Sequence, residues 1–129
     1  MDVGPRCHTG RMIGTWHGLI IDCPDPAALA SFYQELLGMV RVQDDGDWVV
    51  IGDAPDRPGV AFQQIPDFTA PTWPGGAHPQ QMHFDVRVGD LDAGEAAALE
   101  LGASRLDGGG ESYRVFADPV GHPFCLVTM

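Results

Sequence analysis

The sequence predicts an α+β domain built from two βαβββ modules, and three observations carry that prediction. Asp25 and Asp90, 65 positions apart, each open a helical stretch, and the two stretches stop at Leu37-Gly38 and Leu101-Gly102. The echo continues downstream, where Asp47-Trp48-Val49-Val50-Ile51-Gly52-Asp53 runs parallel to Ser112-Tyr113-Arg114-Val115-Phe116-Ala117-Asp118. Gly59-Val60-Ala61-Phe62 then matches Pro123-Phe124-Cys125-Leu126. A repeat holding one strand, one helix and three more strands is a fold signature. At 129 residues the chain suits one compact domain, or two half-domains sharing a core.

Residues 1–14 mix Gly, Pro, Arg and Met without a period and read as an N-terminal arm. The domain follows over 15–129, with module 1 at 15–65, a linker at 66–80 and module 2 at 81–129. Trp16 to Cys23 is apolar and reads as a strand. Asp25 is a good N-cap, and Pro26 suits the first helical position. Leu29, Phe32, Tyr33 and Leu36 then fall at i, i+3, i+4 and i+7, one apolar helical face. Gly38 is the stop. Met39–Gln43 and Trp48–Ile51 are strands joined by the Asp44-Asp45-Gly46 turn. Asp53 to Pro58 reads as a Pro-rich loop, and Val60–Ile65 as the fourth strand. Pro66 to Gln80 holds four prolines and two adjacent glycines, a linker that cannot be helical. Its Phe68 and Trp73 either pack over a sheet edge or form a lid or a subunit contact. Met82 to Val88 alternates, with Met82, Phe84, Val86 and Val88 on one face and His83, Asp85 and Arg87 on the other. Asp90 caps the second helix. After the Asp107–Glu111 turn come strands at Tyr113–Phe116 and Phe124–Thr128, and the second half reads βαβββ again.

Composition narrows the function. The net charge is −11 and all seven basic residues are arginines. Nucleic acid and anionic membrane surfaces need a basic footprint and are excluded as partners. Without lysine the chain has no Schiff-base chemistry. The acidity serves solubility or attracts a cationic ligand. No apolar run long enough to span a membrane and no secretory signal is visible, so a cytoplasmic protein is expected. Cys7, Cys23 and Cys125 are odd in number and lack CxxC spacing, which suggests buried thiols rather than a disulfide framework or zinc knuckle. A serine elbow, P-loop, Rossmann glycine set and HExxH are all missing.

Asp22-Cys23-Pro24-Asp25-Pro26, Phe32-Tyr33 and Leu36-Leu37-Gly38 in the first half, with His83-Phe84-Asp85-Val86 and Ala117–Leu126 in the second, resemble the vicinal oxygen chelate superfamily. That superfamily includes glyoxalases, bleomycin-resistance proteins, fosfomycin-resistance enzymes and extradiol dioxygenases; the likeness is to its glyoxalase-like branch. The resemblance implies a cupped, mixed sheet with helices on the convex side, a small-molecule pocket on the concave side, and a homodimer. It also implies, for metal-dependent members, one divalent cation held by four side chains from the first and last strands of the modules. The metal would work as a Lewis acid, with a general base moving the proton.

Carried over by the repeat, the four positions are Gly18, Ala61, His83 and Cys125. Gly and Ala donate nothing, and one His with one Cys falls short of the three or more protein ligands a metal site wants. The expectation is therefore no cofactor. A one-residue strand slip, such as a β-bulge gives, is the alternative. It would bring His17, Gln63 or Gln64, and His83 together around Zn, Ni, Fe or Mn, with Cys125 as a fourth ligand.

The ligand-binding candidates are His83, Gln63, Asp85, Arg87, Trp48, Tyr113, Cys125 and Asp22. His83 contacts the ligand, and it is also the one weak candidate for a catalytic base. Asp85 and Arg87 either face the cup beside it or form a surface ion pair. Asp22 shares the Gly18 face and either binds a donor or caps a loop. Gln63 shares the Ala61 face. Trp48 and Tyr113, equivalent in the two repeats, stack on a planar ligand or fill the core. Cys125 is a reactive thiol in a polar pocket or a small buried residue in an apolar one. His8, His78 and His122 fall on loops and need no function. The sequence thus reads as a metal-free, glyoxalase-like binder similar to bleomycin-resistance proteins. The alternative is a divalent-metal-dependent lyase, isomerase or dioxygenase, and a third reading has His83 acting as a base near Asp85 without metal.

Overall fold

Each helix begins where its capping aspartate stands. The computed structural model describes residues 13–14 and 16–128; residues 1–12, and with them Cys7, His8 and most of the expected arm, lie outside the described residues. Helix α1 spans Pro26–Leu37, and the Asp25 carboxylate accepts a hydrogen bond from the Ala28 amide at 3.3 Å. Gly38 ends it with φ of 69°, a left-handed conformation that a Cβ disfavours. Helix α2, Leu91–Leu101, repeats the device, with Asp90 accepting from the Asp92 amide at 2.9 Å and Gly102 closing at φ 112°.

Two four-stranded mixed sheets surround these helices. The first joins β1 (Leu19–Cys23), β2 (Val40–Asp44), β3 (Trp48–Ala54) and β4 (Arg57–Gln64) in the order β1-β4-β3-β2. The second joins β5 (Phe84–Arg87), β6 (Ser104–Gly109), β7 (Tyr113–Ala117) and β8 (Pro123–Val127) in the order β5-β8-β7-β6. Within each sheet the first strand runs parallel to the last and the other neighbours are antiparallel. The expected α+β fold of paired βαβββ modules is therefore what forms.

The differences from the sequence reading lie at strand ends. Strand β1 starts at Leu19, not Trp16, and β5 covers only Phe84–Arg87. Asp53 to Pro58 is not a loop: β3 runs to Ala54, β4 starts at Arg57, and the two pair as Ala54↔Arg57 across a tight hairpin. Proline tolerates this place because the register shifts there, between Gly52 and Ala54. Strand β6 reaches Gly109, into the glycine run read as a turn.

One core joins both modules. Ile21, Leu29, Val49, Ile51 and Phe62 of module 1 are buried in the same cluster as Phe116, Phe124 and Leu126 of module 2. Tyr33 is its hub. Its ring stacks on Phe62 at 5.6 Å and meets Phe84 edge-on at 5.6 Å, while Phe32 contacts Phe124 at 6.0 Å. Such aromatic pairs contribute about 0.5–1.5 kcal/mol each beyond their burial. The Tyr33 hydroxyl donates to Asp118 Oδ2 at 2.6 Å, and Asp118 Oδ1 accepts the amides of Val120, Gly121 and His122 at 2.9–3.0 Å. A buried carboxylate with this many donors is satisfied in full. This clasp holds the β7–β8 turn of module 2 against α1 of module 1.

Candidate functional site

Strand parity fixes which side chains can meet. In β1, Ile21 and Cys23 face the core and Ile20 and Asp22 face away; in β5, Phe84 and Val86 pack on the core and Asp85 faces away with His83 ahead of it. The pairing of β1 with β4 runs without irregularity from Leu19↔Val60 to Cys23↔Gln64. The slip that would recruit His17 is not found. His17 is exposed and borders a small groove with Ile20, Val50 and Ala61.

The four positions that the resemblance implies for a metal are Gly18, Ala61, His83 and Cys125. Ala61 pairs with Val50 in sheet 1, as Cys125 pairs with Val115 in sheet 2. Gly18 excludes a ligand sterically as well as chemically, since a Cβ there would stand 2.9 Å from the Gly59 carbonyl oxygen. The residues present do not fit a four-ligand cation straddling both modules. Module 2 by itself does gather donors: atoms of His83, Asp85 and Cys125 lie within 4.8 Å of one another, and His83 Nε2 is 3.3 Å from Asp85 Oδ1.

One residue of the linker packs on sheet 2. Trp73 packs on Val115, Cys125 and Val127, and its indole N–H donates to the Asp107 carbonyl at 2.8 Å. Cys125 is thereby buried, and burial, with the nearby Asp85 charge, pushes its thiol pKa up. Burial also pushes Cys23 up to about 11 from 9.0, with Asp25, Asp118 and Asp22 adding in the same direction. Both shifts favour the protonated thiol, the form that is the weaker nucleophile. Burial, followed by the charge and hydrogen bond of Asp118, raises Tyr33 as well.

Open space lies instead at the seam between the two sheets, where the edge strands β1 and β5 do not pair. A cavity of about 470 Å³ is bounded there by Ile20, Ile21 and Asp22 of β1 and by Met82, His83 and Phe84 at the start of β5. The linker forms another wall, through Phe68, Thr69, His78 and Gln80. His122 closes the remaining side: its Nε2–H donates to the Asp22 carbonyl at 2.8 Å, and its ring meets Phe68 edge-on at 5.5 Å. Gln80 Oε1 is buried with no hydrogen-bond partner, at a cost of about 1–3 kcal/mol.

Of the candidates read from the sequence, His83 and Asp22 line this cavity, and Asp85 and Cys125 stand beside His83. Asp22, Gln63 and Trp48 form one row across sheet 1, and Arg87, Val127 and Tyr113 the equivalent row across sheet 2. Gln63, Trp48, Arg87 and Tyr113 do not border the cavity. His78 and His122, assigned no function from the sequence, do. His122 could have been found: the Asp118-to-His122 turn follows the most clearly repeated strand of the chain. Nothing local marks His78 or Gln80.

The sequence profile of the glyoxalase-like domain family matches residues 18–127. The chain belongs to that family. No curated protein is matched by sequence. Among solved structures, a glyoxalase/bleomycin resistance protein/dioxygenase family enzyme from Burkholderia phytofirmans PsJN superposes with a TM-score of 0.66 at 14% identity, over 87% of this chain and 96% of the other. The fosfomycin resistance protein FosX from Listeria monocytogenes gives 0.68 at 13%, over 92% and 95%. A mutant of the Listeria protein complexed with Mn(II) and a dihydroxypropylphosphonic acid gives 0.62 at 15%, over 91% and 93%. At these identities the likeness is one of fold. No helix among the described residues is long and apolar enough to cross a membrane.

Proposed function

We propose that this glyoxalase-like protein binds a small organic molecule in the seam cavity and holds it unchanged, without the metal used by many relatives. The observation that carries the reading is the asymmetry of the four ligand positions that the resemblance implies. His83 and Cys125 have donors; Ala61 has none, and Gly18 has no room for one. A cavity of about 470 Å³ with apolar walls and a few polar groups suits an organic ligand. The same reading has the protein acting in the cytoplasm as a homodimer, as the family resemblance implies. The test is equilibrium binding of a panel of planar antibiotics and other natural products, with the bound compound recovered and weighed by mass spectrometry. Recovery of intact ligand supports sequestration; turnover that requires an added divalent metal contradicts it.

A second reading is favoured by one observation, the convergence of His83, Asp85 and Cys125 within 4.8 Å. It makes the chain a divalent-metal-dependent lyase, isomerase or dioxygenase with its donors confined to module 2. Cys125→Ala separates the two, because it abolishes activity on the second reading and leaves ligand binding in the seam on the first.

A further inference from the structure

We infer that the seam cavity selects ligands that join an apolar body to a hydrogen-bond-donating head, an ammonium above all, and discriminates against phosphonates and carboxylates. This rests on the reading that the cavity is the ligand site.

Two of the wall's donors are committed within the protein. The Tyr33 hydroxyl is held by Asp118, and the Nε2–H of His122 by the Asp22 carbonyl. His83 directs Nε2 at the Asp85 carboxylate. In the tautomer that donates to the Asp22 carbonyl from Nε2, the His122 ring presents Nδ1 as an acceptor. Gln80 contributes a buried acceptor oxygen that no protein group satisfies. Asp22 adds a carboxylate, the one Asp or Glu among the described residues on the walls. Thr69 and Gln81 can serve either way.

Permanent cations are placed elsewhere. Arg41 binds Gln34 and Asp44 beside α1, Arg57 faces Asp53 in a hairpin, and Arg105 and Arg114 share Glu95 of α2. Arg87 lies further along β5 and is not part of the wall. Among the described residues no arginine borders the cavity, and the chain has no lysine. A phosphonate would enter a site with a carboxylate and several acceptors, and with no fixed positive charge to meet it. In the Listeria complex the phosphonic acid is accompanied by Mn(II). An ammonium finds the reverse: a carboxylate for its charge, imidazole and amide acceptors for its protons, and Ile20, Phe68 and Met82 for its apolar body. The net charge of −11 acts in the same sense at long range.

The experiment is calorimetric titration of the full chain, at physiological ionic strength to screen the general field. The probes share one body and differ in head group: naphthylmethylamine, naphthylmethanol and naphthylmethylphosphonate. The expected order is amine, then alcohol, then phosphonate, with the amine about tenfold or more tighter than the phosphonate. Asp22→Asn should weaken the amine about twofold to fivefold and the alcohol not measurably; Asp22 is exposed, so the variant folds. Ile20→Trp, which fills the cavity from β1, should weaken all three. Phosphonate binding as tight as amine, or equal weakening of amine and alcohol by Asp22→Asn, overturns the head-group inference and leaves the cavity as the site. Undiminished amine binding in Ile20→Trp, or no binding of any probe to the unmodified chain, overturns the site and the inference together.

Discussion

Replacing Tyr33 by Phe removes one oxygen atom from the centre of the protein and tests how the two modules are held together. The hydroxyl makes a 2.6 Å bond to Asp118 Oδ2, and the tyrosine is fully buried. The ring stays, so its contacts with Phe32, Phe62 and Phe84 survive and no cavity opens. What is lost is a hydrogen bond to a buried carboxylate, about 1.5–3 kcal/mol. Asp118 keeps its three amide donors on Oδ1, which limits the damage to that one bond. The expected destabilisation is about 2 kcal/mol, or a fall in Tm of about 6–10 °C for a domain of this size. Urea unfolding should show a lower midpoint with an unchanged slope, because the folded state stays equally compact. Asp118→Ala removes every one of these bonds and should cost more, roughly 3–5 kcal/mol. The double variant should lose less than the sum of the two. A Tyr33→Phe protein within about 0.5 kcal/mol of the unmodified chain would refute the clasp, since that is the range of neutral surface changes.

Further predictions concern the thiols, the linker tryptophan and the implied ligand position. Cys23, raised from 9.0 to about 11, keeps its proton in the folded chain after the unfolded chain has lost it. Stability should therefore fall as pH rises from about 9 toward 11. Tyr33 adds to the fall with the same sign, and Cys23→Ala should flatten part of it. Iodoacetamide at neutral pH should leave Cys23 and Cys125 unmodified until denaturant is added, as peptide mass mapping would show. Trp73→Ala should expose Cys125 to that reagent and cost about 2–3 kcal/mol, less than a fully buried tryptophan because Trp73 is half-buried. Gly18→His should destabilise by about 1–3 kcal/mol and still recruit no metal, because its Cβ meets the Gly59 carbonyl; calorimetry with Zn(II) reads both effects together with a melt.

Much of the fold was legible because its signals are local. Asp25 and Asp90 each bond an amide two or three residues on, and Gly38 and Gly102 each adopt the conformation their residue type favours, so both helices could be bounded by inspection. Strand parity is also local, and it placed His83, Asp85 and Cys125 on one face correctly. The hairpin at Asp53–Pro58 was misread because two prolines suggest a loop, while a register shift lets one of them start a strand. The site was less legible for a different reason. Tyr33 and Asp118 are 85 residues apart, and His122 and Asp22 are 100 apart. Tyr33 sits on the apolar stripe of a helix, where its pattern is that of a plain core residue. The linker has no period, so its aromatics could mark Phe68 and Trp73 as packing residues but not the surfaces they meet, and the turning of His78 and Gln80 toward the seam left no trace in the sequence. The cavity lies at the edges of β1 and β5, where the linker supplies a wall.

Metal content, measured by mass spectrometry on protein purified without chelator and without a histidine tag, bears most directly on the proposal that this chain, with Gly18 and Ala61 in module 1, works without a bound cation. The account predicts far less than one equivalent of zinc, nickel, iron or manganese per chain, and no gain on dialysis against any of them. One tightly held equivalent, lost together with function in His83→Ala, would contradict it.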